Sequence, residues 1–313
     1  MSNTIIRPQS REQWLEERKS GIGSSEIATI VGLNPYETPY QLWRRKLGID
    51  PPKEENFAMK AGHYLEDAVS LFFQDETGLS VIKASAGDWL IRNDERPYLQ
   101  VSPDRTYWLA GLAKSASNKG ILECKTTQRS VDEDDIPKHW FCQLQYQLGV
   151  AELQHGSLAW LSSGREFGYK QLAFVEDFYG WLVEEAEKFW TDNIIGKQEP
   201  AATNVQDVLL KYNRHTDGKV LEVGDDVFSD YKELKEIRQQ IDALAERKEE
   251  LEGHIKMAFG DAEAISYGGN TLATWKAPKP SKKFNLKDFC EFEPEMAASY
   301  MEEVQGARRF LLK

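Results

Sequence analysis

Residues 120–126, with the sequence GILECKT, form a short run of alternating character that predicts a β-strand. Successive side chains on a strand point to opposite faces of the sheet. Glu123 and Lys125 therefore share one face, and Leu122 and Cys124 share the other. The strand therefore places an acid and a lysine next to each other on one face, and apolar side chains on the opposite face.

A second predicted strand, residues 98–104, ends in the sequence SPD. By the same alternation Ser102 and Asp104 lie on one face of that strand. If the strand pairs with residues 120–126, the pairing gathers Asp104, Glu123 and Lys125 at one point on the sheet.

Two carboxylates and a lysine are the groups that metal-assisted phosphodiester hydrolysis requires. Asp104 and Glu123 supply oxygen ligands for Mg²⁺ or Mn²⁺, and the backbone carbonyl of Cys124 can add a third. Lys125 can orient the attacking water, help to deprotonate it or stabilise the developing charge, and the sequence does not choose among these roles. The pattern is degenerate, so a turn-capping Asp104 and a plain Glu123–Lys125 ion pair form the alternative.

Two predicted helices supply further polar groups. In the helix over residues 58–77, Glu66 lies on a mainly inward face, where a carboxylate needs a cation or a partner. In the helix over residues 137–151, Gln143, Tyr146 and Gln147 lie beside the apolar stripe and can donate hydrogen bonds to a phosphate or to a metal-bound water molecule. A salt-bridged Glu66 and a solvated polar helix face are the alternatives.

The order of predicted elements is helices, strands, helix, strands, helix. It predicts an α/β domain with a central mixed sheet flanked by helices. Residues 9–48 are predicted to form a helix–turn–helix in which Ser24 or Ser25 caps the second helix. Further strands are predicted over residues 79–92, 156–162 and 167–175, and a further helix over 178–193. Residues 105–119, rich in glycine and serine, are predicted to form a turn region.

The character of the chain changes after about residue 202. We therefore predict two domains, residues 1–202 and residues 203–313. In the second, residues 226–259 form a charged helix with apolar residues at steps of three and four, residues 264–276 a hairpin, and residues 277–283 a basic linker. The apolar seam predicts either self-association or packing on the helix's own chain.

Composition excludes several classes of protein. The 313 residues carry a net charge of −12, so DNA binding requires a locally basic surface. The three cysteines lack the spacing of a zinc site, an iron–sulfur cluster or a disulfide framework. No apolar run is long enough for a membrane span and the first ten residues lack a signal-peptide core, which predicts a cytoplasmic protein.

The motifs in order resemble those of the YqaJ-type viral recombinases, the group that includes phage lambda exonuclease, within the PD-(D/E)XK nuclease superfamily. The resemblance spans about residues 9–200 and is specific because many weak motifs follow the family's order. These motifs are residues 14–18, 21–26, 34–43, 62–66, 102–104, 123–125, 143–146 and 189–190.

The resemblance implies a role for each matching residue. Asp104, Glu123 and the Cys124 carbonyl would bind the metal, Glu66 would join at a second metal or through water, and Lys125 would be the catalytic lysine. Arg18, Ser25 and Ser102 match positions that hold the terminal 5′-phosphate of DNA, although one extra residue separates Arg18 from the following glycine. The family's last motif matches Gln143, Gln145 and Tyr146, and Arg129 is a further basic residue near the substrate.

The implied activity is Mg²⁺-dependent degradation of one strand of duplex DNA from 5′ to 3′, with Mn²⁺ as a substitute metal. The product would be a 3′ overhang for a single-strand annealing protein. Such enzymes are often ring oligomers, commonly trimers, and are typical of phages and prophages in bacterial hosts.

Two other functions compete with this one. The first is a structure-specific or restriction-type endonuclease of the same superfamily, although the missing cysteine cluster disfavours the Cas4 type. The second is a non-catalytic module that binds DNA ends, which the intact set of Asp104, Glu123 and Lys125 disfavours.

Overall fold

The computed structural model describes residues 3–51, 56–83, 90–112, 114–302, 306 and 308–312. The chain divides into two compact units, Met1–Lys211 and Tyr212–Lys313. Among the described residues, no helix has both the length and the apolar composition required to cross a membrane.

The first unit contains seven helices of α type and eight strands within its described ranges. Its helices are α1 (Arg11–Lys19), α2 (Ser24–Ile30), α3 (Pro39–Lys46), α4 (Phe57–Thr77), α5 (Lys138–Ala151), α6 (Glu176–Lys188), which continues as a π-helical segment (Phe189–Ile195), and α7 (Val205–Lys211). Its strands are β1 (Asn3–Ile6), β2 (Val81–Lys83), β3 (Leu90–Asn93), β4 (Gln100–Val101), β5 (Arg105–Trp108), β6 (Lys119–Thr127), β7 (His155–Ser162) and β8 (Glu166–Ala173).

A five-stranded mixed sheet in the order β2-β5-β6-β7-β8 forms the centre of this unit. Only β6 and β7 run parallel, because α5 connects them as a crossover helix. Helix α4 packs against β6, β7 and β8, and α5 packs against β6 and β7. The predicted fold class, a central mixed sheet flanked by helices, is confirmed.

The predicted pairing of residues 98–104 with residues 120–126 is wrong. Only Gln100 and Val101 form a strand there, and β4 belongs to a separate three-stranded sheet in the order β1-β3-β4. The antiparallel partner of β6 is β5, which lies in the segment expected to be a turn region. The predicted strand over 79–92 likewise separates into β2 and β3, which belong to different sheets; residues 84–89 lie outside the described ranges.

Several local predictions also change in detail. The N-cap residue of α2 is Gly23, whose N–H donates to Glu26 Oε2 at 2.8 Å. Ser24 and Ser25, the predicted caps, are instead the first two residues of the helix. Along α4, Val69 and Phe73 are buried, whereas the intervening Phe72 is exposed.

Helix α7 belongs to the first unit, although it follows residue 202. The buried carboxylate of Asp207 accepts hydrogen bonds from Thr38 Oγ1 at 2.8 Å and from Gln41 Nε2 at 3.1 Å. These contacts tie α7 to the first turn of α3.

The second unit is built around α8 (Asp225–Phe259), a helix of 35 residues. A hairpin of β9 (Ala264–Tyr267) and β10 (Asn270–Thr274) follows at the predicted place. Two short helices, α9 (Leu286–Phe292) and α10 (Pro294–Ser299), complete the described part.

Candidate active site

Asp104 reaches the acid–lysine strand although it lies outside the ladder. Strand β5 begins at Arg105, which pairs with Leu122, so continuing this register places Pro103 opposite Cys124. Proline has no N–H and cannot continue an antiparallel ladder. The Cys124 N–H instead donates to Asp104 Oδ2 at 2.8 Å. The end of the ladder therefore holds Asp104 beside β6.

The same irregularity affects the carbonyl of Cys124. In an extended strand the N–H and C=O of one residue point to the same side, so this carbonyl also faces the end of β5. Because Pro103 has no N–H, the ladder supplies no donor there. The Cys124 carbonyl is thus directed to the side on which Asp104 lies.

A hydrogen-bonded network surrounds the buried carboxylate of Glu123. Glu123 Oε1 accepts from Lys125 Nζ at 2.7 Å and from Gln143 Nε2 at 2.5 Å. Gln143 Oε1 in turn accepts from Lys125 Nζ at 2.8 Å. Glu123 Oε2 accepts from Gln147 Nε2 at 2.8 Å. Strand β6 and helix α5 together fix this acid, the lysine and both amides.

The electrostatics of the cluster show crowded negative charge. Burial raises the pKa of Asp104 well above its usual range, and the nearby carboxylates of Glu123 and Glu66 raise it further. Burial alone would lower the pKa of Lys125, but Glu123 and Asp104 more than offset this effect and raise it. Lys125 therefore stays protonated, and its positive charge offsets part of the negative charge of the cluster.

Glu66 is linked to the site through Arg105. The buried guanidinium of Arg105 lies 3.8 Å from Glu66 Oε2, donates to Asp67 Oδ1 at 2.5 Å and donates to the backbone carbonyl of Asp104 at 2.6 Å. Glu66 Oε1 also lies 3.1 Å from His63 Nδ1. Arg105 thus holds α4 against the start of β5 and brings Glu66 near Asp104 without direct contact between the two acids.

Helix α5 divides the residues of the predicted last motif between different roles. Gln143 and Gln147 are one turn apart and both contact Glu123. Gln145 faces elsewhere: its amide bonds the carbonyl of Ala173 at 2.8 Å and the N–H of Val175 at 2.9 Å. The structure does not bring Gln145 into the cluster.

Tyr146 is fully buried and does not contact the acid cluster through its hydroxyl. Its hydroxyl donates to the carbonyl of Ile22 at 3.1 Å. The tyrosine therefore supports the loop that precedes α2. Gln147 Nε2 also reaches that region, at 3.2 Å from Ser24 Oγ. The base of the loop and the acid cluster are thus connected through α5.

The helix ends on either side of this loop carry the arginine and serine that the sequence singled out. Arg18 Nη2 donates to Ser25 Oγ at 3.2 Å, and the guanidinium lies 4.6 Å from the centre of the Trp14 ring. A Cβ at position 23 would lie 2.7 Å from Arg18 Nη2, so a side chain there would displace the end of the arginine. The end of α1 and the start of α2 therefore present a cation and a hydroxyl together.

A buried ion pair lies directly beneath the loop. Glu26 Oε2 lies 2.8 Å from Lys46 Nζ, and Glu26 Oε1 lies 3.2 Å from Arg45 Nη1. Lys46 Nζ also donates to the Gly21 carbonyl at 2.5 Å. Burial alone would raise the pKa of Glu26, but Lys46, Arg18 and Arg45 together lower it. This network fixes the path of the loop.

The two remaining candidates lie near strand ends. Ser102 is half-buried, two residues before Asp104. Arg129 is exposed and follows the end of β6, where its N–H bonds Thr127 Oγ1 at 3.1 Å. The structure brings neither side chain into the hydrogen-bonded network around Glu123.

The donor set fits a hard divalent cation that keeps several water ligands. In the described part of the chain, no group of three His, Cys, Asp or Glu side chains is close enough to hold a metal ion. Asp104, Glu123 and the Cys124 carbonyl nevertheless provide three oxygens of the kind that Mg²⁺ prefers, and Mg²⁺ usually retains water at the other positions. The excess negative charge around Asp104 is consistent with this fit.

The sequence predicted the place of Gln147 but not that of two other residues that organise the site. The helical spacing of Gln147 from Gln143 puts the two on one face, and both contact Glu123. The roles of Arg105 and Lys46 could not be predicted from local spacing. Their partners, Asp67 and Glu26, lie 38 and 20 residues away along the chain.

The sequence of this chain is similar to a family model and to one bacterial protein. A family model described as "YqaJ-like viral recombinase domain" matches residues 13–154. Over 315 residues the chain is 30% identical to a Bacillus subtilis (strain 168) protein described as "Uncharacterized protein YqaJ", covering 97% of this chain and 94% of that protein.

Solved structures show a more distant likeness. An alkaline exonuclease from Laribacter hongkongensis is 16% identical, with a TM-score of 0.45, over 59% of this chain and 93% of that one. A phage related exonuclease from Haemophilus somnus 129PT is 13% identical, with a TM-score of 0.39, over 57% and 96%. Neither likeness is strong enough to support a conclusion about this chain. The sequence match, in contrast, runs along nearly the whole length of both proteins. The chain therefore belongs to the YqaJ-like viral recombinase family.

Proposed function

We propose that this recombinase is a Mg²⁺-dependent deoxyribonuclease whose active site is the cluster of Asp104, Glu123, Lys125 and Gln143. The observation that carries the proposal is the hydrogen-bonded triangle of Glu123, Lys125 and Gln143 beside the constrained Asp104. A plain surface ion pair, the alternative, would not have a buried carboxylate bonded by a lysine and two amides.

Asp104, Glu123 and the Cys124 carbonyl would hold the metal, with Glu66 contributing through water or at a second ion. When bound, Mg²⁺ supplies a more acidic water and neutralises charge on the phosphate, and Mn²⁺ can substitute. The network around Glu123 keeps one carboxylate orientation ready for the ion, which reduces the reorganisation needed for catalysis.

Lys125 would act mainly as an electrostatic stabiliser. An ammonium group has three N–H donors, and Glu123 and Gln143 accept from two of them. The third donor can bond a phosphate oxygen as negative charge develops there. This geometry favours charge stabilisation over the other two roles considered for Lys125.

Arg18 at the end of α1 and Ser25 at the start of α2 would hold the terminal 5′-phosphate of a DNA strand. An arginine stacked on an aromatic ring and bonded to a serine is pre-ordered for a phosphate. Ser102 and Arg129 would assist along the strand, as the family resemblance implies.

We infer 5′-to-3′ digestion of duplex DNA that leaves a 3′ overhang for an annealing protein. The active form would be a homo-oligomer, with a trimer favoured. Phage origin and a bacterial cytoplasm follow from the same resemblance.

Replacing Arg18 by alanine is expected to reduce the preference for 5′-phosphorylated ends. The loss of a charge-assisted phosphate contact costs about 1.5–3 kcal/mol, which corresponds to about 10- to 100-fold in kcat/KM. The measurement compares digestion of 5′-phosphorylated and 5′-hydroxyl linear duplexes. Arg7→Ala, at the end of β1, is the control and should keep the parent's preference. If Arg18→Ala retains the full preference, the phosphate pocket lies elsewhere.

Replacing Gln147 by alanine is expected to lower activity by about 10- to 100-fold, mainly by weakening metal binding, because residues that orient metal ligands have effects of this size. Gln147 is a positioning residue that acts through Glu123. Titrating the rate with Mg²⁺ tests this, since the variant should require more metal for half of its maximal rate. Gln154→Ala, an exposed glutamine just after α5, should match the parent. An unchanged Mg²⁺ requirement with a reduced rate would contradict the positioning role.

The function itself is tested with duplex DNA labelled separately at each end. The proposal predicts early loss of the 5′ label from linear duplex and no cleavage of covalently closed circular duplex. Cleavage of the closed circle would favour an endonuclease of the same superfamily. DNA binding without any hydrolysis would favour a non-catalytic end-binding module.

A further inference from the structure

Tyr36 presents an aromatic ring to solvent from a loop that is firmly held on both sides of it. The residue is 75% exposed. Its N–H donates to Asn34 Oδ1 at 2.9 Å, and Asn34 Nδ2 donates to Thr29 Oγ1 at 2.7 Å. The next residue, Glu37, accepts two hydrogen bonds from the guanidinium of Arg45. The loop therefore fixes the backbone of Tyr36 while the ring stays accessible.

The Tyr36 ring lies against the first turn of α5, close to the acid cluster. Its centre is 6.0 Å from that of the His139 ring, and the two planes are nearly perpendicular, a favourable arrangement for an aromatic pair. His139 precedes Gln143 by one turn, so both lie on the same face of α5. Burial and the nearby charge of Lys125 lower the pKa of His139. Its imidazole is therefore neutral at neutral pH and supports the tyrosine as an uncharged ring.

The chain from Ser24 to Tyr36 runs antiparallel to α5. At its start, Ser24 Oγ lies 3.2 Å from Gln147 Nε2, and at its end Tyr36 lies against His139. Gln143, a member of the proposed active site, lies between these two levels, about 6 Å from each along the helix axis. The proposed phosphate site, the acid cluster and the aromatic pair therefore follow one another along α5.

This order assigns a part of the DNA to Tyr36. In the proposed reaction, Arg18 and Ser25 hold the terminal 5′-phosphate, and the phosphate between the first and second nucleotides lies at the acid cluster. The second nucleotide is then on the side of Tyr36. Drawing the first nucleotide into the site removes the stacking neighbour of the second base, which costs free energy. An aromatic ring can replace that neighbour whatever the base, because every base has a π-face.

We propose that Tyr36, supported by His139, stacks on the base of the second nucleotide from the 5′ end and so caps the opened end of the duplex. This contact rests on the 5′-to-3′ nuclease function proposed above and adds a substrate-binding residue to it. Stacking discriminates little among the four bases, which suits an enzyme that digests a strand of any sequence. The ring, and not the hydroxyl, supplies the contact, so phenylalanine should replace Tyr36 without loss.

The first arm of the test compares kcat/KM for release of the first nucleotide from two 5′-phosphorylated duplexes, one intact and one with an abasic second nucleotide. Tyr36→Ala should act on the intact duplex about 5- to 100-fold more slowly than the parent, the usual contribution of one base–aromatic stack, and should lose little more on the abasic duplex. Tyr36→Phe should behave as the parent, and so should Tyr267→Ala, which removes an 80% exposed tyrosine from β9. A Tyr36→Ala variant that distinguishes the two duplexes as the parent does, or a Tyr36→Phe variant as impaired as Tyr36→Ala, would overturn the proposal.

The second arm detects the contact without relying on hydrolysis. Lys125→Ala is mixed with Mg²⁺ and a duplex whose second base is 5-iodouracil, and the complex is irradiated. Mass spectrometry of the peptides should locate the adduct on Tyr36, and 5-iodouracil in the middle of the duplex should give no adduct there. A chain that binds DNA ends without cleaving them would still form this adduct, so a failure of the nuclease function is distinguishable from a failure of the stacking contact. Adducts confined to residues outside the Tyr36 loop would overturn the proposal even in an active nuclease.

Discussion

Replacing Lys125 by alanine lowers kcat on linear duplex DNA by about 10²- to 10³-fold, the usual cost of removing one donor aimed at developing charge. The ammonium is bonded to Glu123 and Gln143 and has one donor left for substrate. Its removal also leaves the buried Glu123 with one partner fewer. Single-turnover digestion with saturating enzyme measures this effect on the chemical step without a contribution from product release.

Lys119→Ala is the matched control for this variant. Lys119 lies on the same strand and on the same face, six residues before Lys125, but outside the cluster. We expect it to digest DNA within a few-fold of the parent. If Lys125→Ala and Lys119→Ala are equally active, the lysine assignment is wrong even if the chain is a nuclease.

Replacing Glu26 by glutamine destabilises the protein by about 3–5 kcal/mol, because it leaves Lys46 as a buried charge without its carboxylate. Both side chains of this pair are nearly inaccessible to solvent, at 9% and 5% exposure. The pKa of Glu26 is lowered in the folded protein, so its stabilising effect is present above the ordinary pKa of a glutamate. That effect is lost as the pH falls through the lowered value.

Urea unfolding monitored by tryptophan fluorescence measures the change in free energy. Glu16→Gln removes a chemically similar pair with Lys19, but both of its side chains are about 70% exposed, so little change is expected. Equal unfolding midpoints for Glu26→Gln and Glu16→Gln would show that the buried network does not hold the loop. A destabilised Glu26→Gln that still prefers 5′-phosphorylated ends would separate stability from phosphate binding.

The acid–lysine pair was predictable from sequence because strand alternation is a local property. Glu123 and Lys125 had to share a face once residues 120–126 formed a strand. The route by which Asp104 joins them was not predictable in this way. Pro103 ends the ladder, β4 pairs with β3, and the segment expected to be a turn supplies the strand that pairs with β6.

The contributions of α5 illustrate the same limit. Periodicity places Gln143 and Gln147 on one face, and the structure puts both on Glu123. The family motif included Gln145 as well as Gln143, but Gln145 bonds the backbone before α6. Spacing within a helix fixes which residues share a face, whereas the neighbour of that face depends on tertiary packing. The partner of α8 was open for the same reason.

The most direct test of the central claim is the release of acid-soluble nucleotides from linear duplex DNA, measured with a chelator, with added Mg²⁺, and for Asp104→Asn in both conditions. The account predicts release by the parent only when Mg²⁺ is present, and almost none by Asp104→Asn. Release by the parent in chelator, or equal release by Asp104→Asn, would contradict it.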